Sequence, residues 1–88
     1  MSKNDIDISM IKSSVESYIL NAVHVDIKKI KDDSMIFREG YFDSMGFIML
    51  ITFIEEEFGI KTSDADLIEE NFESINAITD FISRKLQH

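Results

Sequence analysis

No proline interrupts this chain and glycine occurs only three times, so a helix once started meets few residues that would end it. The spacing of the apolar residues then decides the fold. Ile8, Ile11, Val15, Tyr18, Ile19 and Ala22 recur at intervals of three and four, which is one face of a helix over about residues 9–22. Asp7 or Ser9 can cap its start. A second helix is expected from Ser44 to about Glu57, with Asp43 or the residues just before it at the cap and Gly59 at the end. Ser74 caps a last helix whose Ile75, Ile78, Ile82 and Leu86 share a face, with Phe81 at its edge. No run alternates with a period of two. The expected class is all-α: a small bundle of three main helices, a short helical turn near Asp64–Ile68 in the connector 60–73, and a long loop between helices one and two.

That loop, residues 23–43, shows no sustained period. Val25, Ile30, Met35, Phe37 and Phe42 are scattered among charged residues, which suggests a segment laid over the helices rather than one hanging free. Connections of this length within a small domain are often functional. Gly40 suits a turn just before helix two.

Size and charge narrow the classes of function. The 88 residues form one domain, with its core at about 9–86, and a chain this short buries only about 60–65% of its unfolded surface. The absence of cysteine removes disulfides, thiolate metal sites and a cysteine nucleophile. The first nine residues carry charges and no signal-like apolar run, and no segment has the roughly 18 apolar residues of a membrane span. A cytoplasmic monomer is expected. The net charge of −8 falls wholly in residues 39–88, where eleven acidic residues face three basic ones. Such a field disfavours nucleic acid and anionic membranes and favours a partner with a basic surface, although it also serves simply to keep a small protein dissolved.

Helix two carries more apolar surface than a small bundle can cover. At about 100° per residue, Phe47, Leu50, Ile51, Ile54 and Phe58 form a core stripe. Met45, Ile48 and Met49 fall on the other side with Thr52, Glu55 and Glu56. Either the long loop covers this second stripe, or it is a docking face. Methionine suits an adaptable contact surface, and the rim of Glu55 and Glu56 favours docking to a basic partner.

Asp43-Ser44-Met45 lies where the long loop meets this helix. An Asp-Ser pair alone is weak, because both residues are ordinary caps. The wider pattern is more specific: Gly40-Tyr41-Phe42-Asp43-Ser44-Met45, a helix ending Glu55-Glu56-Glu57-Phe58-Gly59, then Asn71-Phe72-Glu73-Ser74-Ile75-Asn76-Ala77-Ile78. Over roughly residues 9–86 the chain resembles the acyl carrier and peptidyl carrier protein family. The resemblance implies that Ser44 bears 4′-phosphopantetheine, whose thiol holds acyl or aminoacyl cargo as a thioester. It implies that Asp43 positions the serine for a phosphopantetheinyl transferase, and that Met45 and Ile48 meet partner enzymes. Those partners would include a loading ligase and downstream enzymes of the pathway with basic docking surfaces.

A serine in the first turn of a helix also suits this chemistry by itself, since a phosphodiester there lies beside unpaired N–H groups. No catalytic set is expected: His24 lies in the loop and His88 is the last residue, neither at relay spacing from a serine or carboxylate. Asp64-x-Asp66-x-x-Glu69 fails as a calcium loop, because Glu69 stands where glycine is needed and Ile75 where glutamate is needed. Two departures from fatty-acid-synthesis carriers stand out. Gly46 and Met49 replace acidic residues early in helix two, and bulky Tyr41-Phe42 precedes Asp43. Both point to a stand-alone carrier of a dedicated pathway, for a secondary metabolite, a modified lipid or an activated amino acid. The competing reading is an unmodified acidic module that docks a basic partner through helix two.

Overall fold

Each of the three long helices begins where a side chain takes up a backbone N–H group. The computed structural model describes residues 7–23 and 30–87. In it the Asp7 carboxylate accepts the Met10 N–H at 3.3 Å, and α1 runs over Ile8–Ala22. Asp43 caps α2, Ser44–Phe58, and Gly59 ends it in the left-handed conformation with φ 66°. A 3₁₀ turn, Asp64–Asp66, leads to the one-turn helix α3, Glu69–Phe72. Ser74 then caps α4, Ile75–Leu86, by accepting the Ala77 N–H at 3.1 Å. Among the described residues there is no strand.

The core lies where α1, α2 and α3 meet α4. Val15 and Ile19 of α1, Leu50 and Ile54 of α2, Phe72 of α3 and Ile78 and Ile82 of α4 are wholly enclosed. Burying a side chain of this size contributes about 1.5–3 kcal/mol each. Tyr18 stacks on Phe53 with ring centroids 4.2 Å apart, which ties α1 to α2.

The segment ahead of α2 is pinned to the far end of the chain. Ile36 is fully buried, and its N–H donates to the Glu73 carbonyl at 2.9 Å. The Asn76 N–H donates to the Asp32 carbonyl, also at 2.9 Å. Lys12 forms an ion pair with Asp32, and Arg38 reaches Glu69 at 3.4 Å. Gly40, with φ 83°, makes the turn that returns the Tyr41 and Phe42 N–H groups to the Ile36 carbonyl.

Several expectations are corrected. The expected helical turn near Asp64–Ile68 is the 3₁₀ turn Asp64–Asp66, but a second short helix, α3, follows it. Four residues are too few to show a period. Phe81 is buried together with Ile75, Ile78 and Ile82, whereas Leu86 is exposed at the end of α4. Ile8 and Ala22, at the two ends of α1, lie outside the core. Phe47, Ile51 and Phe58 are only partly buried. His24, Val25 and His88 fall outside the described residues. No helix of the described residues is long and apolar enough to cross a membrane.

Candidate functional site

Asp43 fixes the start of α2 twice. Its carboxylate accepts the Gly46 N–H at 2.9 Å and its carbonyl accepts the Phe47 N–H at 2.9 Å. Ser44 is therefore the first residue of the helix, and its side chain is exposed. The Ser44 and Met45 N–H groups precede the first intrahelical bond, at the positive end of the helix dipole. Asp43 thus sets the serine's position through the backbone.

Two grooves flank this serine. One, of about 540 Å³, has Phe37, Phe42 and Phe47 as its wall, with Asp43, Ser44, Ile48 and Glu69 completing it. The other, of about 410 Å³, runs toward α1 past Tyr18, Ala22, Tyr41, Met45 and Met49. Gly46 stands between them for a steric reason. A Cβ there would lie 3.2 Å from Cδ2 and 3.4 Å from Cγ of the Phe42 ring. The two departures noted in the sequence, a bulky residue 42 and a glycine at 46, are one packing arrangement.

Of the five residues expected to form a docking face, four stay at the surface. Met45, Ile48 and Met49 are 64%, 59% and 57% exposed, and Glu56 is exposed beside them. The described part of the long loop, residues 30–43, leaves this strip open. Glu55 is turned elsewhere. Its Oε2 accepts both the N–H and the hydroxyl of Thr62 at 2.9 Å, and the residue is partly buried. The Thr62 N–H, and after it the hydroxyl, hold the Glu55 carboxyl below its ordinary range. A helical wheel gives the angle of Glu55 but not the path of the chain after Gly59, which brings Thr62 back to it.

Asp66 is likewise engaged within the fold. Lys85 Nζ donates to it at 2.8 Å and the Ser63 N–H at 2.9 Å, and these lower its pKa in that order of importance. Phe37, Phe42, Phe47 and Glu69 were not expected at the site. Of these only Phe42 carried a sequence signal, its bulk just before Asp43.

A small helical bundle that holds out one hydroxyl at a capped helix start, beside an apolar groove, has the form of a carrier. Residues 13–82 match the family described as phosphopantetheine attachment site, and the chain belongs to that family. An acyl carrier protein of Thermotoga maritima is 32% identical over 74 residues, which cover 84% of this chain and 89% of that one. An acyl carrier protein of Thermosynechococcus vestitus is 27% identical over 78 residues, covering 89% and 94% respectively. The protein is a carrier and not an enzyme, and its prosthetic group is 4′-phosphopantetheine. The site fits that group: an exposed hydroxyl, free N–H groups for a phosphate, and open grooves on either side.

Proposed function

We propose that Ser44 is the residue that bears the phosphopantetheine arm, and that the carrier serves a dedicated biosynthetic pathway in the cytoplasm. The observation that carries the assignment is the exposed Ser44 side chain at the first position of α2, held there by Asp43. In the modification, Ser44 Oγ bonds to the pantetheine-side phosphorus of coenzyme A. The pyrophosphate P–O bond breaks, adenosine 3′,5′-bisphosphate leaves, and the hydroxyl proton passes to a base of the transferase. The attached group supplies the thiol on which cargo is held as a thioester.

Met45, Ile48 and Met49 form the contact surface for partners. These are the phosphopantetheinyl transferase, an acyl- or aminoacyl-loading ligase, and enzymes that use the loaded cargo. Glu56 lies on the same side, and the net charge of −8 supports partners with basic surfaces. Glu55 contributes to this face mainly by holding Thr62 against the helix. The dedicated pathway is supported by Gly46 and Met49, which leave the front of α2 apolar, so that partners are recognised there by packing.

Incubation with a permissive transferase and coenzyme A tests the assignment by intact mass. One arm is expected on the protein and none on Ser44→Ala. A modified Ser44→Ala variant, or an unmodified parent, would overturn it.

A further inference from the structure

The groove of about 540 Å³ beside Ser44 is of the size that takes a small organic ligand. Its wall is aromatic, and the rings do not stop at the surface. Phe37 meets Phe42 edge-on at 5.8 Å and Phe47 at 5.6 Å. Phe47 meets Phe72 at 5.4 Å, and Phe72 meets Phe81 of α4 at 4.9 Å. These are contact spacings for aromatic pairs. An unbroken row of rings therefore runs from the groove to α4. Phe72 and Phe81, at its inner end, are 0% and 2% exposed. Phe47 lines the groove and packs on Phe72, so along this row it stands between the groove and the buried rings.

We propose that this groove receives compact apolar acyl groups, aromatic or short, and that the row of rings behind it keeps long alkyl chains out of the core. The inference rests on Ser44 bearing the arm, because Ser44 itself lines the groove and an arm that folds back over α2 delivers its end there. Three rings and Ile48 offer a flat cargo both faces and edges to pack against. Phe47, which lines the groove and touches Phe72, is the specificity-determining residue: it is the floor for a compact group and the barrier to a long one.

The test loads the protein with phenylacetyl- or palmitoyl-phosphopantetheine from the corresponding acyl-coenzyme A. Intact mass verifies each product, and each is compared with the unacylated holo protein by NMR and thermal unfolding. Phenylacetyl is expected to shift the signals of Phe37, Phe47 and Ile48 and to raise the thermal midpoint. Palmitoyl is expected to leave the Ile54, Ile78 and Ile82 methyl signals and the midpoint where they were. Palmitoyl-dependent shifts of those methyls, or a phenylacetyl group that moves no groove signal, would overturn the inference while leaving Ser44 as the attachment site. Absence of any mass gain would remove the attachment site, and the inference with it. Phe47→Leu, which removes the ring and keeps an apolar side chain, is expected to let palmitoyl perturb the core methyls. A variant that stays closed would overturn the role given to Phe47.

Discussion

Gly46→Ala tests whether the start of α2 is shaped by the ring in front of it. On helix propensity alone the change is worth up to about 1 kcal/mol of added stability. The new Cβ, however, would sit 3.2 Å from Phe42 Cδ2 and 3.4 Å from its Cγ. Phe42 has little room to yield, because it is 8% exposed and its ring stands edge-on to Phe37. Overpacking of this kind costs about 1–3 kcal/mol. The net expectation runs from no change to about 2 kcal/mol of destabilisation. In a Phe42→Ala background the obstacle is gone, and Gly46→Ala is expected to stabilise by about 1 kcal/mol. The two sites should therefore couple by about 1–3 kcal/mol, within the range seen for residues in contact. A double-mutant cycle by urea unfolding measures this, with thermal midpoints moving by roughly 4–8 °C per kcal/mol for a chain of this size. Phe42→Ala itself costs about 3–5 kcal/mol, so the cycle is run in a stabilising salt such as sulfate. If Gly46→Ala raises stability equally in both backgrounds, the steric explanation of the glycine is wrong.

Asp43→Ala removes the cap of α2 and is expected to cost about 0.5–2 kcal/mol; slower arm attachment should accompany it, and a variant with unchanged unfolding and unchanged modification would refute the positioning role. Met49→Lys places a positive charge on an exposed strip, so stability should stay within about 0.5 kcal/mol, while binding to a partner with a basic surface weakens in titration calorimetry. Glu55 and Asp66 both have lowered pKa values in the folded chain. Their contribution is therefore present above the unfolded carboxylate range and lost as pH falls through the lowered values. Thermal midpoints should drop on acidification. The drop should be smaller in Lys85→Met, which removes the ammonium donor to Asp66, and slightly smaller in Thr62→Val, which removes the hydroxyl donor to Glu55 but keeps the backbone N–H.

The main helices were legible because each carries its own punctuation. Asp7, Asp43 and Ser74 cap the three starts, and Gly59 adopts the left-handed end that its place in the sequence suggested. Ser44 was legible for the same reason, since a cap residue fixes which residue comes next. What escaped the sequence depends on parts of the chain that meet only in three dimensions. Glu55 looked like a docking carboxylate until the return of Thr62 claimed it. Phe37 and Phe72 look like isolated apolar residues, yet both touch Phe47. The second stripe of α2 left two readings open, because periodicity cannot say whether a loop lies over a helix face. The described part of the loop spends Ile36 and Phe42 on the core and leaves Met45, Ile48 and Met49 uncovered.

The bonds from the Ile36 N–H to the Glu73 carbonyl and from the Asn76 N–H to the Asp32 carbonyl have a mechanical consequence. The threshold of α2 is moored to the chain's final quarter, about thirty residues downstream of the serine, so a load applied by an enzyme gripping that helix is passed to the carboxyl-terminal element. Loosening the junction before Ile75 would tilt Ser44 out of register, even though every residue of α2 remained unaltered.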